Sequence, residues 1–260
     1  MDKRALLTLV AVCTMSIMAF ACARTVNKTE TVSLRFSAVV GQAPLVFNQI
    51  LYANPGGEGS FKVRDFLFFI SNVKLISESA TYLEPGSYHL VRFDNNDRTY
   101  TIILDDVPKR DYQTIEFSIG VDKTANRSLI AAGDLDPNSR MAWSWDVGYK
   151  FILFEGGLAL DDVLYPLVYH VGFDENYKPL VFDLQSSEYQ DLGMLDFQVD
   201  IMKLFNGTHP IDMTTLPSVK FDRQDAKLIA TNYQSMVALC AVTGCPSSMR
   251  LSIDQGTLPF

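Results

Sequence analysis

Tryptophan is nearly missing from this 260-residue chain. There are two, and both fall in the stretch 141–157, MAWSWDVGYKFILFEGG. Histidine is almost as scarce, so any imidazole chemistry rests on His89, His170 and His209. Positive charge is in deficit: 22 Lys and Arg against 30 Asp and Glu give a net charge of −8, and no Lys/Arg cluster marks a basic face. Nucleic acid is therefore excluded as a partner. GxSxG, HExxH, GxGxxG and P-loop patterns are absent, which removes the common hydrolase and nucleotide-binding signatures. Without CxxCH the chain attaches no c-type haem. In GDLDPNSR, Asp134, Asp136 and Asn138 alternate as in a calcium loop, but Ser139 stands at the bend-glycine position and Trp145 at that of the terminal glutamate. An EF-hand thus fails and the loop reads as turn formers. The chain is not expected to be an enzyme.

What is present begins with a leader. Lys3 and Arg4 precede sixteen largely apolar residues, Ala5 to Phe20, and then the small-residue stretch around Cys22. A membrane-spanning helix needs about 20 apolar residues. Residues 1–22 read instead as an export signal. AFAC loosely matches a lipobox, which would make Cys22 a lipidation site; cleavage of the Ala-x-Ala type at AFA or ACA, releasing a soluble protein, is the alternative. The expected location is the periplasm, or the outer membrane or cell surface as a lipoprotein, with membrane contact only through the lipid. The four cysteines fit this division: Cys13 leaves with the leader, acylation would use Cys22, and Cys240 and Cys245 can pair in a disulfide suited to an oxidising compartment.

Beyond the leader the hydrophobic period is two. Val32, Leu34 and Phe36 alternate with Ser33, Arg35 and Ser37, and the same holds for Ile115–Phe117–Ile119 and Leu195–Phe197–Val199–Ile201. Further strands are expected at 63–75, 87–93, 99–104, 141–154, 164–173 and 179–184, separated by NPGGEG, EPGS, DNND, DPNS and FNGT turns. One helix is expected near 223–240, with Asp222 as N-cap. These features predict an all-β fold, an antiparallel β-sandwich or barrel-like sandwich with one C-terminal helix, forming a single domain over 31–260.

On one strand over 141–154, Trp143, Trp145, Tyr149 and Phe151 would share a face as an aromatic core stripe. His209, before a proline, reads as a solvated loop residue. His89 and His170 each follow a tyrosine within a strand; each alone reads as a satisfied, partly buried imidazole, with metal ligation as the alternative.

Four segments in order give these residues a sharper context: VRDFLFFISNVKL (63–75), SYHLVRFDN (87–95), FSIGVDKTAN (117–126) with GDLDPNSRMAWSWDVGYKFILFEG (133–156), and YHVGF (169–173). From about residue 31 to 205 the chain resembles the MbnP-like family of exported bacterial proteins, associated with copper handling and with partner di-haem, MauG-like peroxidases. The resemblance implies copper as cofactor and His89 and His170 as metal ligands. It also implies that Trp143 or Trp145 is oxidised to kynurenine to complete the site. Opening an indole needs an external oxidant, so a partner di-haem enzyme is implied as well. The chain departs from the family pattern at Ser139–Arg140, where a small pair such as Asn-Gly is frequent, and at Phe173, where a second glycine or small residue is common. The same sequence also accommodates a non-catalytic envelope β-sandwich that binds a protein or other ligand.

Overall fold

A computed structural model of the protein describes residues 28–50, 52–128, 133–144, 147–185, 192–241 and 245. The leader, with Cys22, and Trp145 lie outside the described residues. Strand β1 (Thr29–Val40) buries Val32, Leu34, Phe36, Ala38 and Val40 on one face, as its period of two dictates. It anchors a five-stranded sheet with β2 (Ala43–Pro44), β7 (Thr99–Pro108), β13 (Met194–Asp200) and β15 (Val237–Leu239). Ser33 to Ser37 pair with both β7 and β13, so these flank β1 on opposite edges. The β1–β13 pair is parallel, an exception to the otherwise mainly antiparallel ladders.

The second sheet is built on β4 (Ser60–Ser77), an 18-residue strand with neighbours along both edges. The remaining strands are β3 (Tyr52–Ala53), β5 (Thr81–Leu83), β6 (Tyr88–Arg92), β8 (Tyr112–Ile119), β9 (Ala142–Ser144), β10 (Gly148–Leu160), β11 (Val163–Gly172), β12 (Lys178–Asp183) and β14 (Ser218–Val219). Leu67 and Phe68 pair with β6 on one side and β10 on the other, and β11 follows β10 through a turn in which Asp161 and Asp162 both have positive φ. That conformation is characteristic of a two-residue hairpin turn whose twist matches its strands.

The main core lies between the sheets. Phe36 stacks on its cross-strand neighbour Phe197 at 5.0 Å and meets Phe117 of the other sheet edge-on at 5.8 Å. Truncating so buried a ring costs about 3–5 kcal/mol. A second, smaller core sits on the outer face of the larger sheet, where Phe69, Leu90, Tyr149, Phe151 and Leu153 are covered by Val121, Leu135 and Met141 of the segment between β8 and β10. The molecule is therefore a β-sandwich with an extra layer over part of one sheet.

Two expectations are corrected. The stretch 141–154 is not one strand: β9 turns back antiparallel on β10, with Gly148 opposite Ser144 and Tyr149 opposite Ala142. Trp143 therefore does not share a strand face with Tyr149 and Phe151. The C-terminal helix runs from Arg223 only to Tyr233, capped as expected by Asp222, whose carboxylate accepts from the backbone N–H groups of Gln224 and Asp225 at 2.9 Å. Val237–Leu239, assigned to the helix by periodicity, instead pairs with the open edge of β13. A free ladder edge outweighs local helical pattern where a β-branched residue fits the strand.

Candidate functional site

The two strand histidines are built alike and placed apart. His170 is opposite Leu153, which is opposite Leu67. His89 is opposite Ile70. Directly paired residues share a face, and Leu67 and Ile70 are an odd number of positions apart on an unbroken stretch of β4. His170 thus projects from the outer face, whereas His89 shares the face of Ile70 and Val91, which belong to the main core. They are also three strand spacings apart, about 14 Å across the sheet. The structure does not bring the two rings together at one centre.

His89 sits in a local turn, its Nε2 2.8 and 3.0 Å from the two carboxylate oxygens of Glu84. Ser87 Oγ donates to the same carboxylate and accepts from the Val73 N–H at 2.8 Å. This arrangement closes the β5–β6 connection. His209 is exposed, with its backbone held by Asn232.

His170 belongs to a wider cluster. Its Nε2 is 2.9 Å from Glu155 Oε1, and both side chains are mostly buried, 14% and 12% exposed. Glu155 also accepts from Arg64 and, at 3.2 Å, from Arg140. Burial alone would raise the Glu155 pKa, but the hydrogen bonds from Arg64 and His170 outweigh it and hold the carboxyl below its ordinary value. Burial lowers the pKa of His170, and Lys150 adds to this against the opposing pull of Glu155, so the neutral ring is favoured. A neutral imidazole backed by a carboxylate on one nitrogen is the form in which histidine binds metals. Among the described residues neither His89 Nδ1 nor His170 Nδ1 is hydrogen-bonded.

Trp143 joins this corner. A Cβ placed on Gly172 would lie 2.7 Å from Trp143 Cζ3 and 3.1 Å from Cη2, so the benzo edge of the indole rests on glycine where any side chain would collide. Gly172 and His170 are alternate residues of β11, on one face and about 7 Å apart. The indole is flanked by Phe173 at 5.2 Å and Phe221 at 5.3 Å, and Arg223 lies 4.1 Å over the Phe173 ring. Of the four residues expected at a metal centre, Trp143 packs on Gly172, two residues along β11 from His170, His89 lies on the other face of the sheet, and Trp145 is outside the described residues. Among those residues there is no group of three or more His, Cys, Asp or Glu side chains able to hold an ion.

Several motif residues prove to be structural. Asp122 accepts from the N–H groups of Thr124 and Ala125 through Oδ1, and from the Tyr88 hydroxyl and Asn72 Nδ2 through Oδ2. Asn126 receives the Tyr149 N–H at 2.7 Å and donates to Asp174 at 2.8 Å. Gly148, at φ 89°, passes so close to Asn126 that a Cβ would lie 2.3 Å from its Oδ1. Asp134 accepts the Leu90 N–H and Asp136 caps the turn at Asn138, so the alternating acidic loop serves the backbone. Cys240 and Cys245 are joined by a disulfide, with Cα atoms 4.2 Å apart.

Sequence reasoning missed Glu155 and Gly172, and met Arg140 and Phe173 only as departures from the family pattern. Glu155 carried a signal: it is the one charged residue within FILFEGG, an otherwise apolar run. A charge there must have a partner if the strand is buried. The others act through contacts between distant segments.

The family model MbnP matches residues 29–221. The solved structure of MbnP from Methylosinus trichosporium superimposes with a TM-score of 0.54 at 17% identity, covering 75% of this chain and 82% of that one. At that identity the likeness concerns the fold. No curated protein matches the chain significantly.

Proposed function

On the premise that the chain belongs to the MbnP family, we propose that it is an exported copper-binding protein of bacterial metal homeostasis. It has no catalytic activity of its own, and its metal-capable centre is the His170–Trp143 corner. The observation that carries this reading is the packing of the Trp143 indole on Gly172, two residues along β11 from His170, with His170 held by Glu155 through one ring nitrogen. Copper accepts neutral imidazole readily. Oxidation of Trp143 or Trp145 to kynurenine by a partner di-haem, MauG-like peroxidase, which brings the oxidant, would add a carbonyl and an aryl amine to the available donors. In this reading His89 is structural. Export through the leader, with a lipid on Cys22 or without one, puts the protein in the periplasm or on the outer membrane or cell surface.

Copper titration of the wild type, His170→Ala and His89→Ala tests the proposal. The first substitution is expected to lower affinity at least tenfold and the second to leave it unchanged. Equal affinity in all three would remove the metal reading. The separation of the two histidines favours a second reading specifically: a metal-free envelope β-sandwich that binds a protein or other ligand, which that outcome would leave standing.

A further inference from the structure

Seven residues other than glycine adopt positive φ among those described. Five are Asn or Asp: Asn48, Asn72, Asp106, Asp161 and Asp162. These two residue types tolerate the left-handed region because their short polar side chains bond locally. The other two are Arg140, at φ 70° and ψ −1°, and Phe173, at φ 72° and ψ 140°. Neither type adopts such a backbone readily, and the second conformation is close to one that glycine alone adopts freely.

Both fall at the same corner of the molecule. Arg140 reaches Glu155, the carboxylate that holds His170, and its own carbonyl receives Lys150 Nζ at 2.5 Å. Phe173 forms one wall against the Trp143 indole and is itself covered by Arg223. Strain in a backbone persists only where the surroundings over-determine it. Here the two strained positions converge, from segments more than thirty residues apart in sequence, on the two side chains that define the corner.

We propose that Arg140 and Phe173 are positioning residues of the His170–Trp143 corner, Arg140 fixing the Glu155–His170 pair and Phe173 fixing the plane of the indole. Because the benzo edge of Trp143 is seated on Gly172, this clamp keeps the opposite edge, Cδ1–Nε1, turned away from the strand. The inference deepens the reading of that corner as the functional centre and rests on it. Its structural content is nevertheless testable without copper.

Glycine substitutions separate the strain from the side chain. In a Trp145→Phe background, where Trp143 is the sole indole, Phe173→Gly is expected to shift Trp143 emission to the red and to raise acrylamide quenching at least threefold. Arg140→Gly is expected to change the 15N shifts of the His170 ring without affecting those of His89. In both variants copper affinity should fall at least fivefold, while the melting temperature falls by less than a buried aromatic or ion pair would normally cost, because glycine relieves the backbone. Phe173→Leu, which keeps an apolar side chain, guards against a folding defect and should give intermediate quenching. Unchanged Trp143 emission and His170 shifts in the glycine variants would overturn the proposal. If copper does not bind the wild type but the spectroscopic changes occur, the positioning roles stand and only the metal reading fails.

Discussion

Asp122 gives a direct test of whether the family motifs act as structure. Its carboxylate serves two sets of donors: Oδ1 caps the helical turn Lys123–Asn126 at 2.9 and 3.2 Å, and Oδ2 accepts from Tyr88 and Asn72. Asp122→Asn keeps a cap oxygen but presents an amide N–H₂ to Asn72 Nδ2, itself a donor, and removes the charge from the Tyr88 bond. Loss of one charge-assisted hydrogen bond is worth about 1.5–3 kcal/mol, and partial exposure of the site puts the expectation near 2. Asp122→Ala also removes the cap, about 1 kcal/mol more, for a total of about 3. For a domain of this size that total corresponds to a fall of roughly 6–12 °C in melting temperature. Burial by itself would raise the Asp122 pKa, but the bonds from Tyr88, Ala125, Asn72 and Thr124 more than reverse it, so the folded-state value is depressed. The sign follows: the carboxylate stabilises fully above its unfolded pKa, about 3.9, and that stabilisation is lost as pH falls through the lower folded value. Urea titrations of the three proteins should therefore show differences that are constant from pH 7 to 5 and that shrink below about pH 4. If both variants lie within about 0.5 kcal/mol of wild type, or if Asn and Ala cost the same, the network does not carry the load assigned to it.

Other expectations follow from the same geometry. Gly148→Ala should destabilise by about 2–4 kcal/mol in urea denaturation, because its Cβ displaces Asn126 from the Tyr149 N–H and its backbone is left-handed. Arg64→Ala and Arg140→Ala should each cost less than about 1 kcal/mol, since both guanidinium groups are half-exposed. The double variant should cost more than their sum, because His170 is then the one side chain left hydrogen-bonded to the mostly buried Glu155, and a double-mutant cycle measures the coupling. Replacing Cys240 and Cys245 by serine should cost about 2 kcal/mol, the small effect of opening a very short loop.

Much of this architecture was legible in the sequence, and the failures have identifiable causes. Alternation located β1, β8 and β13 because each has one face in the core and one outside it. It could not reveal that the chain reverses between Ser144 and Gly148, since Trp143, Tyr149 and Phe151 keep an even spacing whether or not it does. It also overextended the helix past Tyr233, where pairing with β13 decided the outcome. The histidines illustrate the deeper limit. Period two shows that His89 and His170 each lie on a strand, but whether two strands present the same face depends on register through β4 and β10, which long-range pairing sets. Arg140 and Phe173 were visible as departures from a family pattern, but their meaning lies in backbone angles that no spacing encodes.

The proposed copper site uses a single strand histidine, His170, at the Trp143 corner. Pulsed electron paramagnetic resonance of the Cu(II)-loaded protein, with 15N-labelled histidine, tests it most directly. The expected result is the signature of a single coordinated imidazole, retained in His89→Ala and lost in His170→Ala. Two imidazoles on one copper, one of them disappearing in His89→Ala, would contradict it.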